Sequence, residues 1–234
     1  MKLIHFFAHK DYLDLGQPSP AKGYIPDWYR AAESTFIEPN GEEGAGLKKC
    51  APYLDAMVSG YVLTTPIDIF VTEETVEGEE EPQLKVSWNG PPALDQFVKE
   101  RPKDLGKTMP RPAGHHPNHL VWAGYWGMKT PRGWSLMVMH PLNRDDLPFR
   151  TVAGIIDSDK FYAPGNIPFF MQKGFTGVIP AGTPIAQLIP IKRAAWKMIP
   201  NNQGLVDFDV IHGTLVRDPK TLYKKTMWQR KEYN

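Results

Sequence analysis

Proline recurs along the whole of this chain and limits what it can fold into. There are 23 prolines among 234 residues, about twice the usual share. Proline lacks a backbone N–H, and its ring obstructs the preceding turn of a helix. Prolines spread in this way are incompatible with long helices. They suit short strands joined by turns, or strand edges. With 20 glycines beside them, they predict a mainly β chain.

Composition narrows the classes further. Hydrophobic residues make up 41% and charged residues 23%, enough apolar material for a packed core. The 27 Lys and Arg balance 26 Asp and Glu, for a formal net charge of +1. So nearly neutral a chain has no global attraction to nucleic acid or anionic lipid. The single cysteine, Cys50, excludes an internal disulfide framework and a multi-cysteine metal site. No apolar run approaches the ~20 residues of a membrane helix. The opening residues, interrupted by His5 and His9, do not read as a signal peptide. The expectation is a soluble protein of a reducing cytoplasm, not secreted and with no membrane partner.

Along the chain, residues 2–8 read as a first strand and residues 25–33 as a short helix, with Pro26 and Asp27 suited to its first turn. Tyr53 to Val71 reads as β, in two runs separated by Thr64-Thr65-Pro66. Glu73 to Glu81 holds six glutamates and reads as a solvated hairpin tip, with a cation-binding loop as the alternative. Gln83 to Trp88 is the returning strand. One helical turn is expected around Leu94 to Lys99. Short strands then follow at 120–125, 135–139, 153–156, 177–179 and 185–191, a spacing that predicts a sandwich or barrel. An apolar stretch, Leu205 to Ile211, precedes a tail from Asp218 to Asn234 expected to be helical. No repeat or linker divides the chain. It reads as a single domain over 1–234: N-terminal strand, helix and loops to 50, a β core over 51–200, and a C-terminal extension over 201–234.

Several groups of residues carry chemistry by type. His115, His116 and His119 cluster in Gly114-His115-His116-Pro117-Asn118-His119. Residues 115 and 119 have the i, i+4 spacing of helical metal ligands, but Pro117 between them opposes a helix. A metal there would need carboxylates from elsewhere, Asp157 and Asp159 being the attractive ones. The alternative is a polar loop. His140 ends a strand and reads as a hydrogen-bonded turn residue. Cys50 follows Lys48 and Lys49, whose charges favour a thiolate; a small buried filler is the other reading. The tail mixes Lys220, Lys224, Lys225, Arg230 and Lys231 with Tyr223, Trp228 and Tyr233. It could stack on single-stranded nucleic acid, but the neutral overall charge favours an arm laid on the body or on a neighbouring subunit. There is no Gly-x-Ser-x-Gly, phosphate loop or dinucleotide fingerprint.

One pattern is less generic. Ala153-Gly154-Ile155-Ile156-Asp157-Ser158-Asp159 is followed by Gly182-Thr183-Pro184-Ile185-Ala186-Gln187-Leu188-Ile189. The first resembles the Gly-Val-Ile-Asp-x-Asp-Tyr motif of trimeric dUTPases and their dCTP deaminase relatives. The second resembles their Gly-Asp-Arg-Ile-Ala-Gln-Leu-Ile motif. Thr130 to Leu136 stands where those enzymes carry Pro-Arg-Ser-Gly-Leu, and Val58 to Leu63 resembles Ala-Gly-Tyr-Asp-Leu. The four matches keep their order over residues 58–191. Residues 130–136, 141–144 and 154–159 also resemble an uncharacterised family of phage and bacterial proteins.

The dUTPase resemblance implies a mainly antiparallel β-sandwich or distorted barrel of the dUTPase-like (β-clip) kind, with a short N-terminal helix and a C-terminal helical tail. It implies a homo-oligomer, a trimer by analogy. It aligns Asp157 with the aspartate that orients the attacking water, and Arg132 and Gln187 with phosphate-facing positions. Asp159 is the further ligand-binding candidate beside them. Several departures oppose catalysis. Lys160 stands where a tyrosine packs on deoxyribose, Val62 replaces an aspartate, Gly133 replaces a serine, and no Gly-rich lid is recognisable in 192–234. Triphosphate hydrolysis rests on positioning and charge stabilisation, and these losses together would leave little of either, although Arg132 is kept. The expectation is a non-catalytic binding or assembly protein without a cofactor. Phage structural proteins would be its partners, and host cytoplasm or virion its place, if it is phage-encoded. The alternatives are a divergent nucleotide hydrolase or deaminase using Asp157 with triphosphate-bound Mg²⁺, and a metal-dependent enzyme using the 115–119 histidines.

Overall fold

The structure is a computed structural model that describes residues 2–78, 82–101, 109–200, 206–217 and 223–234. Residues 79–81 of the acidic run and Lys220 of the tail lie outside them. The chain divides into two compact units, residues 1–21 with 60–193, and residues 22–59 with 194–234.

The first unit is built from short antiparallel strands. Its largest sheet has five, in the order β13 (Gly154–Ile156), β11 (Trp134–Met139), β16 (Pro184–Lys192), β5 (Tyr61–Thr64) and β2 (Ser19–Pro20). A four-stranded sheet runs β12 (Phe149–Thr151), β14 (Asn166–Met171), β9 (Leu120–Ala123) and β8 (Val98–Glu100). A third joins β15 (Gly177–Ile179) to the hairpin of β6 (Ile69–Glu74) and β7 (Gln83–Ser87). β1 (His5–Ala8) pairs with β10 (Trp126–Lys129). The mainly β, antiparallel expectation holds. Every sheet keeps two edges, so no barrel closes among the described residues.

Aromatic packing fixes the core. Trp122 of β9 lies flat on Phe169 of β14, with ring centroids 3.8 Å apart and an interplanar angle of 7°. The two are diagonal neighbours, since Trp122 is opposite Ile167 and Leu120 opposite Phe169. Phe149 meets both rings edge-on. Edge-to-face pairs such as the two that Phe149 makes add about 0.5–1.5 kcal/mol each beyond the burial of their area. Ile69, Leu136, Met171, Ile179, Ala186 and Leu188 complete the layer, each at most 1% exposed.

The second unit holds α1 (Asp27–Ala31), the hairpin of β3 (Thr35–Ile37) and β4 (Glu43–Ala45), α2 (Ala51–Val58) and α3 (Val206–Arg217). Tyr29 of α1 stacks on Tyr53 of α2. Asp55 of α2 accepts hydrogen bonds from Trp228 Nε1 at 2.8 Å and Lys231 Nζ at 2.5 Å, so two tail residues are tied to that helix. Residues 223–227 form one π-type turn, and 228–234 have no regular structure. Trp196, Met198 and Ile199 are 91%, 86% and 75% exposed, three large apolar groups within four residues.

Several local expectations change. Val98 and Lys99, expected in a helical turn, lie in β8 because they pair with Trp122 and Val121 of β9, and the tail expected to be helical is so, among its described residues, only over 223–227. Residues 53–58, expected as β, are helical. Pro52 lies in the first turn of α2, where its missing N–H costs nothing, and this outweighs the β preference of Tyr53 and Val58. Cys50 is exposed rather than a buried filler. Glu73 belongs to β6 opposite Leu84, not to the solvated tip.

Gly60, part of the Ala-Gly-Tyr-like motif, has a backbone reason to be glycine. Its φ is +73°, and a Cβ there would overlap the carbonyl oxygen of Leu188 in β16. Gly60→Ala should therefore destabilise the fold. The left-handed backbone alone costs about 1–3 kcal/mol, and the overlap adds to it. Urea unfolding measures this; an unchanged midpoint would refute the close approach.

His140 follows β11 and is buried. Its Nδ1 accepts the Thr151 N–H at 3.2 Å. The proton is thus on Nε2, which donates to the Arg144 carbonyl at 3.0 Å. Burial is the main cause holding the imidazole pKa below its usual value. The unfolded chain then takes up this proton first, and stability falls as pH drops below about 6.5. The urea midpoint at pH 5 should lie below that at pH 7.5, with the His140 ring titrating below 6.5 by NMR. A ring titrating at or above 6.5 would exclude His140 as the source.

Candidate functional site

The residues of the Asp-x-Asp motif meet at one end of the five-stranded sheet. β11 begins after the turn Pro131-Arg132-Gly133-Trp134, closed by Trp134 N–H on the Pro131 carbonyl at 3.1 Å. Gly133, third in that turn, has φ +82°. That conformation favours glycine and disfavours the serine expected by resemblance. On one side of β11, β13 ends at Ile156 opposite Leu136, which puts Asp157 beside Ser135. On the other side, β16 ends at Lys192 opposite Trp134. The next residue, Arg193, donates its backbone N–H to the Gly133 carbonyl at 2.9 Å.

Arg193 connects all of these. Its Nη1 donates to the Trp134 carbonyl at 3.1 Å, to Ser135 Oγ at 2.9 Å and to Asp157 Oδ1 at 3.1 Å. Its Nη2 donates to Asp159 Oδ2. Ser135 Oγ donates in turn to Asp157 Oδ1 at 2.7 Å. Asp159 Oδ2 also accepts the Gly133 N–H at 2.8 Å. The Asp159 side chain is only 5% exposed, against 56% for Asp157. Behind them, Ser158 Oγ donates to Thr130 Oγ1, which donates to the Trp134 carbonyl. One arginine thus closes a clasp over both carboxylates of the motif. The Arg193 hydrogen bond, reinforced by the Gly133 N–H, pulls the Asp159 pKa down to about 2, and Asp159 in turn raises that of Arg193. Asp159 Oδ1 is buried without a partner among the described residues.

The other candidates fall elsewhere. Arg132 is exposed in the turn, and no described residue pairs with it. Gln187 is 1% exposed and opposite Met139, at the far end of β11 from Ser135. At ~3.4 Å per residue, that is about 14 Å from Asp157 along the strand, and two strand spacings across. Its Oε1 accepts the Leu142 N–H at 2.8 Å. Within one chain, then, Asp157 and Gln187 do not converge.

The histidines separate as well. His116 Nε2–H donates to Glu73 Oε1 at 2.5 Å, and that oxygen also accepts the Gly174 N–H at 2.7 Å. His119 is 5% exposed and packs against Phe170. Burial, with the charge of Arg101, lowers its pKa. His115 Nδ1 lies 3.0 Å from the Ala113 carbonyl. Among the described residues, no three His, Cys, Asp or Glu are grouped to hold a metal ion. A cavity of about 280 Å³ opens beside His116 and His119.

Arg193, Ser135 and Glu73 were not singled out from the sequence. Arg193 carries one signal: it is the cation that directly follows the long apolar strand 184–192.

No family model matches the sequence, and no curated protein matches it. Among solved structures the chain is similar to a native EIAV dUTPase, at 10% identity and a TM-score of 0.32, over 75% of this chain and 96% of that one. A likeness this loose carries no weight for the site, which stands on its own geometry.

The clasp makes a titration prediction. A carboxylate whose folded pKa is depressed stabilises the fold above its unfolded pKa, near 3.8, and loses that contribution as pH falls toward about 2. By carboxyl NMR, Asp159 should titrate near 2, and Arg193→Met should bring it back toward 3.8. The acid-unfolding midpoint should then move to higher pH. An unchanged Asp159 titration in Arg193→Met would rule out the clasp.

Proposed function

We propose that this chain is a non-catalytic binding or assembly protein that works as a homo-oligomer on its β scaffold. The observation that carries this reading is the Arg193 clasp. A general base or water-orienting carboxylate needs a lone pair turned toward its substrate. Asp157 Oδ1 is occupied by Ser135 and Arg193, so only Oδ2 of that half-exposed side chain is left for a ligand, and Asp159 Oδ2 is held by Gly133 and Arg193. Gln187 is committed to the Leu142 backbone. Asp157 and Gln187, two of the three residues aligned with nucleotide chemistry, and the further candidate Asp159 thus have partners inside the chain.

Two further observations favour self-association. β13 is the edge of its sheet and leaves Ile155 64% exposed. Trp196, Met198 and Ile199 stand in water. Exposed apolar groups concentrated in one segment mark protein-contact surfaces more often than isolated ones do, and a second copy of the chain is the occupant proposed here. No described helix is long and apolar enough to cross a membrane.

Sedimentation combined with a thermal-shift panel tests both halves. The intact chain should sediment as an oligomer, and Trp196→Ser with Ile199→Ser should shift it toward a folded monomer whose melting temperature no longer rises with protein concentration. Deoxy- and ribonucleoside triphosphates with Mg²⁺ should give no shift and no pyrophosphate. A ligand at ~100-fold saturation would add about 2.7 kcal/mol, so binding would not be missed. A monomer at all concentrations would end the assembly reading. Turnover lost in Asp157→Asn would establish the hydrolase instead.

A further inference from the structure

A cavity beside the histidine segment brings together polar side chains that have no partner among the described residues. It has a volume of about 280 Å³, near the lower end of the range for small-molecule pockets. β8 leads into it with Glu100 and Arg101, and the loop before β9 adds Asn118 and His119. Leu84 and Leu120 supply apolar wall. His119 is 95% buried, and no described group hydrogen-bonds its ring. Nor does any described residue pair with Arg101, Glu100 or Asn118. The His119 ring and the Arg101 guanidinium both line the cavity, within electrostatic reach of each other. His116, on the same wall, is not free: Glu73 holds its ring.

We infer that this cavity is a binding site for a compact organic molecule with one oxyanion head, a carboxylate or a phosphate, held by Arg101 with His119 and Asn118 as further donors. The guanidinium fork matches the geometry of such a head and binds it through paired N–H donors. The leucines cover the organic body. Glu100 accepts from a hydroxyl or amino group on the ligand and disfavours a second negative charge. The site is separate from the Asp157–Asp159–Arg193 clasp and does not depend on the assembly reading. Burial, with the Arg101 charge second, holds the His119 pKa below its usual value.

The test uses the full chain with ¹³C-labelled histidine rings, titrated at constant ionic strength with benzoate, phenyl phosphate and neutral benzamide. These share one body and differ in the head. The expected result is a saturable movement of the His119 ring signal with benzoate, phenyl phosphate or both, and none with benzamide. Which anion acts tells a carboxylate ligand from a phosphate one. Arg101→Gln should weaken the response at least tenfold, with the His140 ring signal unchanged as proof that the variant is folded. The proposal is overturned if neither anion moves the His119 signal, if benzamide moves it equally, or if folded Arg101→Gln responds like the wild type.

Discussion

The antiparallel pairing of β11 with β16 is the constraint on which the rest of the first unit depends. Six residue pairs, from Trp134 with Lys192 to Met139 with Gln187, set one register. The Arg193 N–H on Gly133 extends it past the strand end. Side chains alternate between the two faces of a strand, so a slip of one residue would turn Arg193 away from both aspartates. The same strand carries β5 on its other side, with an irregularity between Pro184 and Ala186. It also requires Gly60, because the Leu188 carbonyl leaves no room for a side chain. One strand pair thus determines what closes the Asp-x-Asp turn and why the Val-Ser-Gly-Tyr segment needs its glycine.

The clasp also shows how carboxylates in a catalytic-looking order can serve structure. In a hydrolase, the motif aspartate acts because its lone pairs face the substrate and its neighbours leave it free. Here a cation from the next strand offsets one of the two negative charges and ties three strand ends together. An ionised Asp159 depressed to about 2 is a poor proton acceptor near neutral pH. Its low exposure and its two N–H donors instead make it a suitable anchor for the turn before β11.

What the sequence made legible follows from how local each signal is. The β6–β7 hairpin, the short strands from 120 to 191 and the helix opened by Pro26 rest on alternation, turn residues and first-turn chemistry within a few positions, and they are present. The Asp-x-Asp turn was identifiable for the same reason. Its partner was not: Arg193 lies 58 positions from Ser135 and reaches it only through strand register. Glu73 was hidden in an acidic run whose composition says solvent, though strand alternation turns this one glutamate toward His116. Residues 53–58 failed differently. Tyr53 and Val58 favour strands, while the deciding residue was a proline, which reads as a breaker everywhere except the first turn of a helix.

Set side by side, the clasp and the cavity separate structural from functional polarity within one β scaffold. Each brings an arginine near a carboxylate, and each joins residues from different strands. In the clasp, every donor of consequence has an acceptor on the chain, and a ligand would have to break Arg193 from two aspartates before gaining anything. In the cavity, Arg101 and His119 are already desolvated in part and have no hydrogen-bond partner to lose among the described residues. An incoming anion there replaces water rather than protein. Binding free energy is the surplus over what must be disrupted. By that criterion the motif that looks most like an active site is the less available of the two, and the segment whose histidines suggested a metal is the more available, through Arg101 after β8.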